Sequence, residues 1–209
     1  MNIEFGHTFL YEFVTLFVVL DPVATVPVFL AVTSGLDRGR ALTVAAYALG
    51  VAFLVLLFFI AGGQLLLDAM KIPMPAFQLA GSLVLLLFGL QMVLGRVTAE
   101  AAKVPQSASL LERAIYPLAI PGIAGAGSML TVVLLTDNNI RSIGEQARTV
   151  GILIVCLAIF FGLFALSRVV FRVLGASGIE IVSRVFGLIL ASIAVNGLVT
   201  AIKMSFGLT

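Results

Sequence analysis

The residue with the most chemical potential in this chain is Asp21. It lies in the segment LDPVATVP, where Pro22 and Pro27 follow it and long apolar runs flank it. A carboxylate in the middle of a membrane helix costs about 2.5–3.5 kcal/mol on insertion scales, so its presence asks for a reason. One reason is chemical: the group could ligate a cation, carry a proton or bind a substrate ammonium. Another is structural: Asp followed by Pro is a favoured pair for restarting a helix after a break. The two are compatible, because a half-helix start is itself an anion site. Glu12 stands near the outer end of the same run and is expected to reach the membrane interface. Gln91 and Asn196 are amides in later apolar runs, at places that correspond approximately. Such residues either hydrogen-bond neighbouring helices or face a site.

A second segment, PLAIPGIAGAGS, carries Pro117, Pro121, Gly122, Gly125 and Gly127. Proline removes an amide donor and frees a carbonyl four residues back. Glycine lets another backbone come close. Both segments therefore predict helices broken inside the membrane, which survive only when buried in protein or lining a cavity.

Other chemistries are excluded. No Gly-Lys dipeptide occurs, so there is no phosphate-binding loop. His7 is the only histidine and Cys156 the only cysteine, which leaves no metal cluster and no intrachain disulfide. The string Gly175-Ala176-Ser177-Gly178 matches a serine-protease pattern of intramembrane enzymes, but His7 belongs on the opposite side of the membrane, so a tight turn is expected there. No enzymatic activity, cofactor or metal is expected. Net charge is +2, too small for a nucleic-acid footprint.

The elements that must position these residues follow from composition. Of 209 residues, 61% are hydrophobic and 11% charged, and mean hydropathy is +1.22. A soluble domain is closer to half apolar and a quarter charged, so the chain is an integral membrane protein. Six apolar runs are long enough to span, at about 20 residues per span. They cover Phe9–Ala31, Thr43–Ala61, Ala76–Gly95, Ile115–Leu135, Val150–Ser167 and Val185–Ile202. None alternates, which argues against a β-barrel. The N-terminus has Glu4 and no basic region, so the first run is expected to be retained rather than cleaved as a signal peptide. One side of this arrangement holds eight Lys and Arg residues (Arg38, Arg40, Arg96, Lys103, Arg113, Arg168, Arg172, Arg184) and the other four (Lys71, Arg141, Arg148, Lys203). The richer side should be cytoplasmic, with both termini outside.

The two halves repeat each other. Pro22 and Pro121 are 99 positions apart, and Gln78-Leu79-Ala80-Gly81 resembles Arg184-Val185-Phe186-Gly187 at an offset of 106. Three spans is an odd number, so the second copy must be inverted. Interrupted spans at matching places in inverted repeats mark a transporter-type site near the midplane. The expected fold is all-α: a single membrane domain, with repeats at 1–95 and 115–209 and a linker at 96–114. Part of the linker, Ser107 to Arg113, could form a short surface helix, and Asp137-Asn138-Asn139 reads as a turn.

At these segments the chain resembles a known family. LDPVATVPVFL, AFQLAGSLVLLLFGLQMV and PLAIPGIAGAGSML are similar to the signature segments of the MarC family of six-span bacterial and archaeal membrane proteins, grouped with the LysE-type exporters. The resemblance implies an inner-membrane location and transport, with neutral amino acids as the substrate class attached to some members. The chain departs from the family pattern at Ala24-Thr25 (usually Gly-Asn), at Ala126 (usually Pro) and at Gln78 (usually Arg).

Together these features point to a secondary transporter of a small polar solute, with a neutral amino acid as the substrate. Its candidate binding residues are Asp21, Pro22, Thr25, Pro27, Gln91, Pro121, Gly122, Gly125, Gly127 and Asn196. The partners expected are the lipid bilayer, the solute, a coupling proton or sodium ion and further copies of the chain. The rival is a non-transporting membrane scaffold or regulator, in which the breaks would serve only helix packing.

Overall fold

The computed structural model describes residues 2–94, 108–136 and 142–207, with side chains from residue 9 onward. Arg96, Lys103 and the expected turn at 137–139 lie outside the described residues. The elements are α1 (Asn2–Leu20), α2 (Thr25–Val32), α3 (Arg38–Ala69), α4 (Met74–Val93), α5 (Leu110–Arg113), an irregular segment Ala114–Ile123, α6 (Ala126–Leu135), α7 (Ile143–Ala165) and α8 (Ser167–Phe206). No strand occurs among the described residues. Four helices are long and apolar enough to cross a bilayer alone. The pairs α1/α2 and 110–123/α6 each bend at a short break, by 45° and 56°. With each bent pair taken as one broken span, the described residues hold up to six spans. Each half thus runs broken span, continuous span, continuous span.

Local chemistry sets the breaks. Tyr116 and Ile120 adopt extended backbone angles inside the irregular segment, and each precedes a proline. The proline ring clashes with a helical predecessor, which forces that conformation. Helix α5 opens with a capping box between Ser109 and Glu112, within the stretch expected to form a short helix. Gly175, at φ 64° and ψ 179°, divides α8 into 167–174 and 176–206. The expected tight turn is therefore a one-residue break, and only glycine is relaxed in that conformation. The last span begins well before Val185, because Glu180 and Arg184 pair one turn apart and extend the helix. At 32 residues α3 also exceeds its expected run. At 1.5 Å per residue it is about 48 Å long, enough to protrude from a hydrocarbon core of roughly 30 Å or to tilt across it.

The core follows from small and aromatic residues. Val44, Ala45, Ala48, Leu49, Ala52 and Leu56 bury one stripe of α3, which packs against the irregular segment, α6 and α7. Phe29 of α2 stacks on Phe164 of α7, with centroids 4.4 Å apart. Helices α4 and α8 make the most extensive pair. They cross where Gly89 meets Gly187: a Cβ on Gly89 would lie 2.9 Å from the Gly187 oxygen and the Ala191 nitrogen. Small residues let membrane helices approach this closely. Large apolar side chains such as Leu54, Phe58, Leu65 and Leu188 point outward, as expected where lipid replaces water.

Candidate functional site at the two breaks

Asp21 terminates α1 and starts α2. Its amide donates to the Phe17 carbonyl at 3.1 Å, closing the last turn of α1. Its backbone then enters the left-handed region, at φ 48°, which Asp tolerates better than most residues. Oδ1 accepts from the Ala24 amide at 3.2 Å. This is the capping role expected from the Asp-Pro pair. The Thr25 hydroxyl donates to the Asp21 and Pro22 carbonyls, at 2.9 and 3.0 Å, and so satisfies oxygens the break would orphan. Oδ2 accepts from the Ser183 hydroxyl at 3.4 Å. Ser183 comes from α8, in the other half of the chain, and was not singled out in the sequence. Its one signal is position: it stands four residues before Gly187, on the buried face of α8.

The second break is built differently. Gly125 precedes α6 in an extended conformation, and no side chain caps that helix start. The Ser128 hydroxyl instead donates back to the Ile123 and Gly125 carbonyls, at 2.7 and 3.1 Å. A Cβ on Gly122 would come 3.7 Å from the Thr25 methyl, and one on Gly127 would come 3.0 Å from Leu85 and 3.9 Å from Val19. Break therefore meets break, with Asp21, Pro22, Thr25 and Gly122 in one neighbourhood. Pro27 falls in the first turn of α2, where a missing amide costs little. Gly125 and Gly127 frame the start of α6, and Pro121 is exposed on the outer side of the second break.

The two amides do not join this cluster. Gln91 occupies the last turn of α4 and is exposed. Asn196 lies level with Ser82, because a Cβ on its neighbour Gly197 would meet the Ser82 hydroxyl. Nine residues of α4 separate Ser82 from Gln91, about 13 Å of helix. The two amides thus lie at different depths, as inversion requires of equivalent positions away from the midplane. Asn196 instead lines a cavity of about 340 Å³ between α1, α4, α6 and α8, with Thr15, Gln78, Ser82, Thr131 and Thr200 among its walls. The cavity lies in the half of the bundle nearer the chain termini. Its floor residue, Leu85, belongs to an apolar cluster with Val18, Val19, Met92, Leu190 and Ala194.

Two charges expected at the surface are inside. Glu12 is fully buried and pairs with Arg148 of α7, at 2.8 Å and 3.4 Å, while the Thr149 hydroxyl donates to it at 3.3 Å. It does not reach the interface, because α7 brings it a cation within the protein. Arg113 is also buried, and its guanidinium donates to the carbonyls of Val32 and Ala108, at 2.8 and 3.1 Å. It ties the end of the first broken span to the start of the second. Among the described residues no cluster could hold a metal ion.

A polytopic helical membrane protein with two broken spans meeting inside the bundle is the class these features define. A family model described as MarC family integral membrane protein matches residues 6–206, and the chain belongs to that family. A UPF0056 membrane protein of Aquifex aeolicus is 34% identical over 203 residues, covering 96% of this chain and 94% of the relative. A UPF0056 membrane protein of Methanocaldococcus jannaschii is 31% identical, covering 93% and 96%. The inner membrane protein YhgN of Escherichia coli is 26% identical, covering 91% and 94%. No solved structure matches.

Proposed function

We propose that this protein is a secondary transporter of a small polar solute, a neutral amino acid, in the inner membrane. The observation that carries the proposal is the contact between the two breaks, Thr25 beside Gly122. Irregular backbone at membrane depth is tolerated where it lines a path, and paired broken helices supply dipole ends and free carbonyls to a solute. The two half-helix starts differ in a way that suits a zwitterion. The start of α2 is filled by the chain's own carboxylate, Asp21. The start of α6 has no side-chain cap, and its amides can take the carboxylate of an amino acid. The ammonium then meets carbonyls freed at the breaks. Asp21 is the coupling group, loading a proton or sodium ion between the halves.

Both termini face outward in this proposal, following the eight-to-four distribution of Lys and Arg. Thr98→Cys and Asn138→Cys, made singly, should label from opposite sides, Asn138→Cys from outside in intact cells; labelling of both from outside would sink the assignment. Transport is tested in proteoliposomes with radiolabelled neutral amino acids, with and without imposed proton and sodium gradients. Gradient-driven uptake by the wild type that Asp21→Asn abolishes at equal protein abundance supports the proposal. Equal uptake by Asp21→Asn removes the coupling role and leaves Asp21 a helix cap. No flux for any solute leaves the scaffold alternative.

A further inference from the structure

The cavity beside Asn196 contains a feature that packing does not explain. Thr131 is 3% exposed, and its hydroxyl oxygen is buried with no hydrogen-bond partner among the described residues. Helical threonines normally avoid this by donating to the carbonyl four residues back. Five others among the described residues do so: Thr25, Thr33, Thr43, Thr136 and Thr200. Thr131 does not, and it stands on the cavity wall. A buried hydroxyl left unpaired is costly, so its retention calls for a partner that comes from elsewhere.

The walls indicate what that partner is. Thr15, Gln78, Ser82, Thr131, Asn196 and Thr200 supply hydroxyls and amides, and among the described residues no charged side chain lines the space. The remaining lining is aliphatic, methionine and tyrosine. A volume of about 340 Å³ lies at the small end of ligand cavities, roughly 300–1,000 Å³. All four walls come from broken spans or from the Gly89–Gly187 pair, two helices from each half. The floor, Leu85, touches the first turn of α6 at Gly127, about 6 Å along the helix from Thr131.

We infer that this cavity is a solute-binding site for a small polar molecule without net charge, held through the Thr131 hydroxyl, one step outside the breaks. The inference rests on the transport proposal and names where its solute first docks. A net charge would enter a wall with nothing of opposite sign to meet it, so acidic and basic analogues are rejected there.

The probes are L-serine, L-threonine, L-alanine and L-glutamine, with L-glutamate and L-lysine as charged controls. Binding is read by thermal stabilisation of the purified protein, for wild type, Thr131→Val and Thr131→Ser. Thr131→Val keeps the shape and removes the hydroxyl; Thr131→Ser restores it. At least one neutral probe should stabilise wild type and Thr131→Ser, and Thr131→Val should weaken it by about two- to tenfold, the range of one neutral hydrogen bond. Equal binding to wild type and Thr131→Val, binding of the charged controls as strong as that of the neutral probes, or no binding of any probe overturns the inference. Proteoliposome flux with the same variants separates the two proposals. Flux that Thr131→Val leaves unchanged sinks this site and keeps transport; Thr131-dependent binding without flux keeps the site and sinks transport.

Discussion

Breaking the ion pair between Glu12 and Arg148 should destabilise the protein strongly and unequally. Glu12 has no exposed side-chain surface, whereas Arg148 keeps 14%. The guanidinium meets both carboxylate oxygens. Such a fork is the strong form of a charge-assisted hydrogen bond. Removing one member of a buried pair costs about 3–5 kcal/mol, because the other charge is left without compensation. For a domain of this size 1 kcal/mol moves the melting temperature by roughly 2–4 °C, so single variants should lose about 6–20 °C. Arg148→Met, which strands the fully buried carboxylate, should sit at the upper end. Glu12→Gln should sit lower, since the arginine can lean its head toward the surface. The double variant Glu12→Gln/Arg148→Met should recover most of the loss, because it buries no unpaired charge. The assay is the apparent melting temperature in detergent of all four proteins, compared as a double-mutant cycle. Additive losses, or a single-variant loss below about 1 kcal/mol, would refute the burial argument.

The other expectations concern backbone and caps. Asp21→Asn keeps an oxygen for the Ala24 amide and should leave stability within about 0.5 kcal/mol, whereas Asp21→Ala should cost about 0.5–2 kcal/mol; the same melting series checks both. Gly89→Ala places a methyl against the backbone of α8 and should cost about 1–3 kcal/mol. Gly50→Ala meets nothing within 4 Å and should stabilise by about 0.5–1 kcal/mol; equal melting temperatures for these two alanines would contradict the close crossing. Arg113→Met removes donors from one buried and one part-buried carbonyl and should cost about 1.5–3 kcal/mol, with proteolysis of the purified protein near the start of α5 as a second readout.

The breaks were legible because proline and glycine act locally. Pro117 and Pro121 dictate the angles of Tyr116 and Ile120 wherever they stand, and the Asp-Pro pair announces a restarted helix. Hydropathy likewise announced the spans. What pairs across the bundle was not legible. Glu12 and Arg148 are 136 positions apart, and neither sequence neighbourhood contains a hint of the other. Gln91 and Asn196 could be matched in sequence, but which of them borders a cavity depends on how α4 and α8 cross. Thr131 looked like every other helical threonine; only coordinates reveal that its buried hydroxyl has no hydrogen-bond partner among the described residues. Ser183 was passed over for the same reason, since a serine on a buried helix face has many uses.

The two halves share a scaffold but not a division of labour. Helices α4 and α8 touch backbone to backbone at Gly89 and Gly187, where neither can slide without a clash. Between spans one and four, a Cβ added on Gly122 would sit 3.7 Å from the Thr25 methyl, an ordinary van der Waals distance. The closest backbone approach is therefore in the α4–α8 pair, whereas the broken spans meet through side chains, among them Arg113. Charge is distributed to match. The first break carries its own carboxylate, held by one amide from its own half and one hydroxyl from the other. The second carries none and presents an uncapped helix start. A symmetric pair of breaks would offer two identical anion sites; here one is occupied from within and the other has no side-chain cap. Under the proposed transport function, that asymmetry lets one ion and one solute load into different halves of the same crossing, with the Leu85 layer between the crossing and the cavity beside Asn196.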